Sequence, residues 1–166
     1  MKLSAGILVY RKAGNSYEVL LVHPGGPFWA KKDQGAWSIP KGEHAEGEDP
    51  LAAAKREFRE EIGQPAPMGE YFELGSMKRS DGKLIKAYGI EGNLDISVVQ
   101  SNNFSMEWPP RSGKMQEFPE IDRADWVKLA EAPARMHKGQ DIFIEHLADH
   151  LETKIERQEP AQSSLF

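Results

Sequence analysis

Residues 42–63 read GEHAEGEDPLAAAKREFREEIG and contain the signals for both ends of a helix. Asp49 suits the N-cap, because its carboxylate can accept a hydrogen bond from the free amides of the first turn. Pro50 suits the first helical position, and Gly63 suits the residue that ends a helix. Apolar residues recur between them every three or four positions, which predicts a helix over residues 50–62 with one buried face.

Acidic side chains gather on another side of the same predicted helix. Glu57 and Glu61 are one helical turn apart, and Glu60 lies between them in sequence. Like charges at this spacing destabilise an isolated helix by about 0.2–0.5 kcal/mol per pair. A solvated acidic face is one interpretation. The other is a divalent cation such as Mg²⁺, which takes carboxylate oxygens together with the phosphate oxygens of a substrate.

The spacing within this stretch resembles the signature of the Nudix hydrolase family. That signature is Gly, five residues, Glu, seven residues, Arg-Glu, an apolar residue, any residue, Glu-Glu, any residue, Gly and an apolar residue. The matching positions are Gly42, Glu48, Arg56, Glu57, Phe58, Glu60, Glu61 and Gly63. Gln64 departs from the signature, because the family usually has an apolar residue there that packs behind the loop. The departure concerns local packing rather than the metal site.

The resemblance implies an α/β protein with the Nudix fold, an α/β/α sandwich around a mixed β-sheet. In this fold the signature segment, residues 42–63 here and called the box below, forms a loop, a helix and a loop. It also implies a pyrophosphohydrolase that cleaves a nucleoside diphosphate linked to another group, with Mg²⁺ as the cofactor and Mn²⁺ as a substitute. Carried over by position, the implied metal ligands are the Gly42 carbonyl and the carboxylates of Glu57, Glu60 and Glu61. Arg56 and Glu48 match the pair that orients these glutamates.

A general base must accept a proton from the attacking water, and in this family it comes from the box or from a downstream loop. Glu60 is the first candidate, and Glu117 and Glu120 are the downstream ones. A non-catalytic Nudix module that binds a nucleotide or a protein is the rival hypothesis. The complete set of box carboxylates favours the hydrolase. An acidic protein-interaction domain is a third hypothesis, and it leaves the spacing of the box unexplained.

The residues before the box are candidates for substrate binding. Phe28, Trp29 and Trp37 could stack on a base, and Lys41 could contact phosphates. The alternatives are that Trp37 packs in the core and that loop lysines are solvated. The stretch WSIPKGE resembles the segment that leads into the box of dinucleoside polyphosphate hydrolases, which implies a dinucleoside polyphosphate as the substrate.

The rest of the chain predicts a mixed pattern of strands and helices. The predicted elements are a hairpin over residues 3–24, a short strand over 36–39, a second hairpin that turns at residues 80–83, a strand over 95–100, an irregular segment over 101–122, a strand within 124–129 and a helix over 140–157. Residues 1–157 are predicted to form a single domain and residues 158–166 a flexible tail. His146 and His150 are one helical turn apart, a spacing that can chelate zinc, but no third ligand is near in sequence.

The composition limits the classes of partner. The chain has 166 residues and a formal net charge of -5, which argues against binding to a nucleic-acid duplex. It has no cysteine, which excludes disulfides and thiolate chemistry. The apolar run AGILVY is too short to cross a bilayer, so we expect a cytoplasmic protein without a membrane partner. A small nucleotide is the expected ligand, and a homodimer is an open expectation from the resemblance.

Overall fold

The computed structural model describes residues 2–158, except for the side chains of Val98 and of residues 153–158. The strands are β1 (Leu3–Ala13), β2 (Ser16–Pro24), β3 (Lys41–His44), β4 (Phe72–Lys78), β5 (Leu84–Glu91), β6 (Asn103–Glu107), β7 (Met115–Pro119) and β8 (Ile121–Lys128). The helices are α1 (Pro50–Ile62), α2 (Ala132–Arg135) and α3 (Asp141–Gln158), with a 3₁₀ turn at Ile96–Val98.

The main sheet has six strands and is mixed. Its order is β4-β5-β1-β2-β8, and β3 pairs with β1 beside this path. The β1–β5 pair is parallel, and the other pairs are antiparallel. One edge of β1 is shared, because residues 3–6 pair with β3 and residues 10–13 pair with β2. This division places the start of the box beside the central strand.

Each face of the sheet is covered by a helix. Alternate residues of β1 point to opposite faces, so Ile7 and Val9 pack with Phe58 of α1, while Leu8 packs with Phe143 of α3. Both clusters are buried. The predicted α/β/α sandwich around a mixed sheet is therefore confirmed.

Helix α1 begins and ends where the sequence predicts. The Asp49 carboxylate accepts a hydrogen bond from the Ala52 amide at 3.1 Å. Gly63 ends the helix in the left-handed conformation, with φ of 81°. A side chain there would also collide with the Gln100 carbonyl oxygen, at 2.7 Å from an added Cβ. Gln64 is half-buried, and its amide donates to the Asp95 carbonyl at 2.7 Å, which ties the end of the box to a neighbouring segment.

The secondary structure predicted for three segments was wrong. Residues 95–100 contain the 3₁₀ turn Ile96–Val98 instead of a strand, because the Asp95 carboxylate caps the turn by accepting from the Ser97 amide. Residues 101–122, predicted to be irregular, contain the β6–β7 hairpin, a two-stranded sheet of its own. Residues 36–39 make only isolated bridges, Val22 with Ser38 and Trp37 with Met136.

The two predicted hairpins and the C-terminal helix are confirmed. Strands β1 and β2 form the first hairpin, and β4 and β5 form the second. Helix α3 spans Asp141–Gln158, and apart from Gln158 the predicted tail lies outside the described residues. Within residues 2–158, no helix combines the length and the apolar character needed to cross a bilayer.

Candidate active site

Helix α1 packs against β3, and this contact brings the Glu57 carboxylate against the backbone of Gly42. A Cβ added to Gly42 would lie 2.1 Å from both Cδ and Oε2 of Glu57. Only glycine therefore lets the Glu57 carboxylate pack directly on the β3 backbone. Glu60 is exposed and lies close to Glu57. The pKa of Glu57 is raised, first by burial and then by repulsion from Glu60.

Arg56 connects the helix to the loop before it. Its guanidinium donates to Oε2 of Glu48, and the other carboxylate oxygen, Oε1, accepts a hydrogen bond from the Ala45 amide at 3.3 Å. The hydrogen bond from Arg56 holds the pKa of Glu48 below its usual range. Arg56 Nη2 also lies 3.4 Å from Oε1 of Glu57 and 3.4 Å from the Glu43 carbonyl oxygen. Arg56 thus holds one end of Glu57 in a fixed direction.

Glu61 lies deeper than the other two box glutamates. Its Oε2 accepts a hydrogen bond from the Lys41 backbone amide at 3.2 Å. Burial raises the pKa of Glu61 to about 8, although the nearby Lys41 ammonium favours the ionised form. Burial likewise lowers the pKa of Lys41. Both shifts come first from burial, which disfavours the charged form of each group.

The donor set fits a hard divalent cation. Carboxylates and a carbonyl are the oxygen ligands that Mg²⁺ prefers, and a cation would offset both the burial and the repulsion from Glu60 that raise the pKa of Glu57. In the described part of the chain, no group of three or more His, Asp or Glu side chains is already assembled around one point. The structure brings Glu57 to Gly42 and Glu61 to Lys41, but it does not join the three box glutamates into one cage. The ligand set remains a prediction.

The raised pKa of Glu61 predicts how the stability of the metal-free protein depends on pH. A carboxyl whose pKa rises from 4.5 to about 8 on folding stabilises the protein below pH 4.5, and this contribution is lost as the pH rises through 8. Thermal unfolding in EDTA should therefore show a stability that falls between pH 5 and pH 8. Glu61→Gln should flatten this dependence between pH 5 and pH 8, because glutamine does not titrate.

Two controls make this prediction specific. Glu117→Gln changes an exposed glutamate on β7 and should leave the pH profile unchanged. Mg²⁺ should stabilise the wild type more at pH 8 than at pH 6, because a metal binds the ionised carboxylate. A wild-type profile that is flat between pH 5 and 8 would contradict the assigned shift.

A basic cavity lies beside Glu61. Its volume is about 450 Å³, and the cationic side chains that line it are Lys41, Lys78, Arg79 and Lys138. None of the described residues that line it is acidic. His137 also lines it, and burial, followed by the charges of Lys41 and Arg79, lowers the pKa of this imidazole. The cavity thus has the charge to receive an anion next to the box.

The three predicted aromatic contacts separate into two groups. Phe28 is 63% exposed, and with Trp29 it lines a cleft of about 420 Å³ that also includes Glu120. Trp37 is 2% exposed and belongs to the core under α3. Its indole N–H donates to Asp33, and its ring contacts Arg135 at 4.5 Å from the guanidinium carbon. The structure therefore places Trp37 in the core, where protein atoms surround its ring. Trp37 does not line the cleft with Phe28 and Trp29.

The two downstream glutamates occupy different surroundings. Glu120 follows the hairpin, lines the same cleft as Phe28, and is close enough to raise the pKa of Glu61 by repulsion. Glu117 pairs with Ser105, on the hairpin face opposite to Phe104 and Phe118. Glu120 is thus the downstream candidate that lies near the box.

Among the described residues, His146 and His150 are not part of a zinc site. His146 Nδ1 is hydrogen-bonded to the Leu74 carbonyl oxygen, and the His150 ring stacks on Phe72 with 3.6 Å between ring centroids. His23 is buried, and its two ring nitrogens lie 2.8 Å from an Asp122 carboxylate oxygen and 2.6 Å from the Lys32 carbonyl oxygen. These contacts give His23 and His146 structural roles.

Sequence reasoning missed the residues that reach the site from distant segments. Lys78 and Arg79 lie at the end of β4, Lys138 lies before α3, and Phe104 and Met106 lie on β6. The clustered Lys78 and Arg79 beside the Asp-Gly turn were a visible signal of positive charge. The alternation of Phe104 and Met106 was a second signal, because alternate residues of a strand share one face.

Comparisons with known proteins relate this geometry to a family. The family model described as NUDIX domain matches residues 1–147. No curated protein matches the chain. The structure of a C. elegans Ap4A hydrolase binary complex is similar, with a TM-score of 0.64, 22% identity, and coverage of 92% of this chain and 99% of that one.

Two further solved structures are similar in fold. The NUDIX domain of Shewanella oneidensis NrtR complexed with ADP ribose has a TM-score of 0.61 and 16% identity, over 90% of this chain and 87% of that one. The Nudix hydrolase RenU from M. smegmatis has a TM-score of 0.57 and 21% identity, over 90% of this chain and 85% of that one. The chain therefore belongs to the Nudix family.

Proposed function

We propose that the protein is a metal-dependent hydrolase that cleaves a pyrophosphate bond in a nucleotide derivative, with a dinucleoside polyphosphate as the leading substrate. The observation that carries the proposal is the packing of the Glu57 carboxylate against Gly42, where an added Cβ would lie 2.1 Å from Glu57 Oε2. This close approach has a chemical purpose if the carboxylate and the Gly42 carbonyl bind one cation. A solvated acidic face gives no reason for it.

The residues that would hold Mg²⁺ are Gly42, through its carbonyl, and Glu57, Glu60 and Glu61. A bound Mg²⁺ would neutralise phosphate charge and lower the pKa of a water molecule. The protein supplies the remaining parts of the reaction. Arg56, held by Glu48, orients Glu57. Glu60 is exposed beside Glu57 and is the first candidate to accept a proton from the attacking water, with Glu120 as the second candidate.

The basic cavity supports a substrate with several phosphates. Lys41 joins the cavity to Glu61, and Lys78, Arg79 and Lys138 extend the positive charge away from the box. Charge-assisted hydrogen bonds from such side chains are among the strongest that a phosphate can receive. The similar C. elegans protein is an Ap4A hydrolase, which agrees with a dinucleoside polyphosphate. The ADP ribose bound by the similar NrtR domain makes ADP-ribose the second substrate class to test.

The test is a panel of substrates measured with Mg²⁺ or Mn²⁺. It contains diadenosine tetraphosphate, ATP, ADP-ribose, a nucleotide sugar and NAD, with Glu60→Gln as the matched blank for contaminating phosphatases. We expect diadenosine tetraphosphate to be hydrolysed at least about tenfold more efficiently than the other classes, a difference of about 1.4 kcal/mol in transition-state binding. EDTA should abolish turnover, and added Mg²⁺ should restore it.

The same panel decides between the hydrolase and the non-catalytic module. If folded protein saturated with Mg²⁺ turns over none of these compounds, the catalytic proposal fails and the nucleotide-binding module takes its place. If ADP-ribose is the preferred substrate, the hydrolase stands and the polyphosphate assignment fails.

The proposal extends to the organisation of the protein. We take residues 1–157 as one domain, because α1 and α3 pack on opposite faces of the same sheet. A cytoplasmic location and a homodimer remain proposals. The molecular mass in solution, measured by light scattering, tests the homodimer directly.

A further inference from the structure

His137 lies in the segment between α2 and α3, and it forms part of the wall of the basic cavity. The backbone on both sides of it is fixed. The His137 amide donates to the Trp37 carbonyl at 2.8 Å, and the Gln140 amide donates to the His137 carbonyl at 3.0 Å. The Trp29 ring packs on the imidazole edge to face, with 5.3 Å between ring centroids. These contacts hold the imidazole at the cavity wall.

The imidazole of His137 has free hydrogen-bonding capacity. Neither of its ring nitrogens is hydrogen-bonded to another residue in the described part of the chain. The buried His23 differs, because both of its ring nitrogens have protein partners. A ring nitrogen at a cavity wall without a protein partner is available to a ligand that enters the cavity.

The surroundings of His137 favour its uncharged form. Burial is the first cause that lowers the pKa of its imidazole, and the charges of Lys41, Arg79 and His23 lower it further. The imidazole is therefore uncharged at pH 7 as long as no anion offsets these positive charges.

Basic groups outnumber carboxylates around the imidazole. Asp81 lies 3.2 Å from Arg79, and Glu61 accepts a hydrogen bond from the Lys41 amide, so each of these two carboxylates is beside a cation of the cavity. The basic groups around the imidazole are His23, Lys32, Lys41, Lys78, Arg79 and Lys138. A polyphosphate that enters would be attracted by this positive charge and would place its own negative charge beside His137.

We propose that His137 is a proton-coupled phosphate contact: its imidazole takes up a proton from the solvent when a polyphosphate enters the basic cavity, and it then donates a hydrogen bond to a phosphate oxygen. The inference deepens the proposed function and rests on it for the class of ligand. A nearby anion favours the protonated imidazole, and a charge-assisted hydrogen bond is stronger than a neutral one. The added affinity is present at low pH and is lost as the pH rises through the pKa of the imidazole in the complex.

The test uses cyclic trimetaphosphate, because each of its phosphates carries one charge and none of them titrates between pH 6 and pH 8. Calorimetry in EDTA excludes metal binding and hydrolysis, and two buffers of different ionisation enthalpy give the number of protons taken up. We expect the wild type to take up about half a proton or more per ligand at pH 7, and its affinity to fall by about tenfold between pH 6 and pH 8. His137→Gln should lose most of this uptake and most of the pH dependence.

Two further variants assign the proton. Lys138→Gln removes a cavity charge that does not titrate in this range, so it should weaken binding and keep the proton uptake. Glu61→Gln removes a nearby carboxyl that titrates at a pKa of about 8, and it should keep the uptake as well.

Histidine-selective NMR labelling reads the imidazole directly. The ring signal that is missing in His137→Gln should move toward the position of the protonated form when trimetaphosphate is added to the wild type. Proton uptake by the buried Lys41 cannot imitate this change, because the signal belongs to the imidazole.

Three results would overturn the proposal. They are proton uptake that persists in His137→Gln and disappears in Glu61→Gln, a His137 ring signal that does not move at saturating trimetaphosphate, and folded wild type that does not bind trimetaphosphate.

These results are independent of hydrolysis. If the wild type hydrolyses diadenosine tetraphosphate and the His137 signal stays in place at saturating trimetaphosphate, the catalytic proposal stands and the proton coupling fails. If the wild type hydrolyses nothing but binds trimetaphosphate with proton uptake by His137, the proton coupling stands and the catalytic proposal fails.

Discussion

Replacing Glu60 with Gln is expected to lower kcat by about 10³-fold, within the range of 10²–10⁴ typical of a general base. The amide keeps the shape of the side chain, but it cannot accept a proton from water and is a weaker ligand for Mg²⁺. Glu60 is exposed, so the substitution should leave the fold intact. The measurement is steady-state hydrolysis of diadenosine tetraphosphate at saturating Mg²⁺, with thermal unfolding as the check on folding.

Glu117→Gln and Glu120→Gln separate the candidate bases. Glu117 is on the face of the hairpin opposite to Phe104, so Glu117→Gln should keep nearly full activity. If Glu60→Gln remains active and Glu120→Gln is the variant that loses kcat, the base is Glu120. Full activity in both Glu60→Gln and Glu120→Gln would reject both assignments.

Gly42→Ala should lower kcat/KM by about 10²-fold, because the new methyl group would occupy the place of the Glu57 carboxylate. Displacement of a positioned catalytic group by about an ångström can reduce rates by this factor. The substitution should also destabilise the fold by about 1–3 kcal/mol, the usual range for overpacking. Gly42 is not among the glycines with positive φ, so backbone strain does not complicate the result.

A double variant isolates the cause. Glu57→Ala removes the side chain that the methyl group meets, so Gly42→Ala/Glu57→Ala should recover the stability lost in Gly42→Ala. It should not recover activity. Urea denaturation of the four proteins in this cycle measures the coupling between the two positions. Stability changes that simply add would show that the methyl group and Glu57 do not meet.

Local signals were enough to predict α1. Asp49, Pro50 and Gly63 act within a few residues of where they stand, and each has the role that its chemistry suggests. The same holds for the turn between β4 and β5, where Gly82 has a φ of 91°. Elements whose ends are specified by their own residues were therefore predictable from the sequence.

The β6–β7 hairpin was not predictable in the same way. Two Pro residues, Arg111 and Gly113 in its turn resemble an irregular loop, and the paired strands have five residues each. The strand predicted over residues 95–100 failed for the opposite reason. Its β-branched residues favour a strand, but the Asp95 carboxylate accepts hydrogen bonds from the amide and the hydroxyl of Ser97 and stabilises a turn. In both segments, contacts between residues determined the secondary structure, and the intrinsic strand or loop propensities of the residues do not describe such contacts.

At the site too, contacts within one stretch of chain were predictable, whereas contacts between segments far apart in sequence were not. The box spacing located Glu57 against Gly42 and Arg56 against Glu48, because all four belong to one stretch of chain. The basic cavity draws its residues from β3, the end of β4 and the segment before α3. No spacing in the sequence connects those segments. They meet because β1 pairs with both β3 and β5.

The β6–β7 hairpin forms a sheet that shares no strand with the six-stranded one. Its length and composition can consequently vary without breaking a hydrogen bond of the main sheet. Substitutions in such a segment need not disturb the rest of the fold. Natural variation, or a library confined to residues 103–119, could therefore alter ligand preference while the residues of the box stay unchanged. The same independence makes the hairpin a natural place to begin directed evolution of this protein.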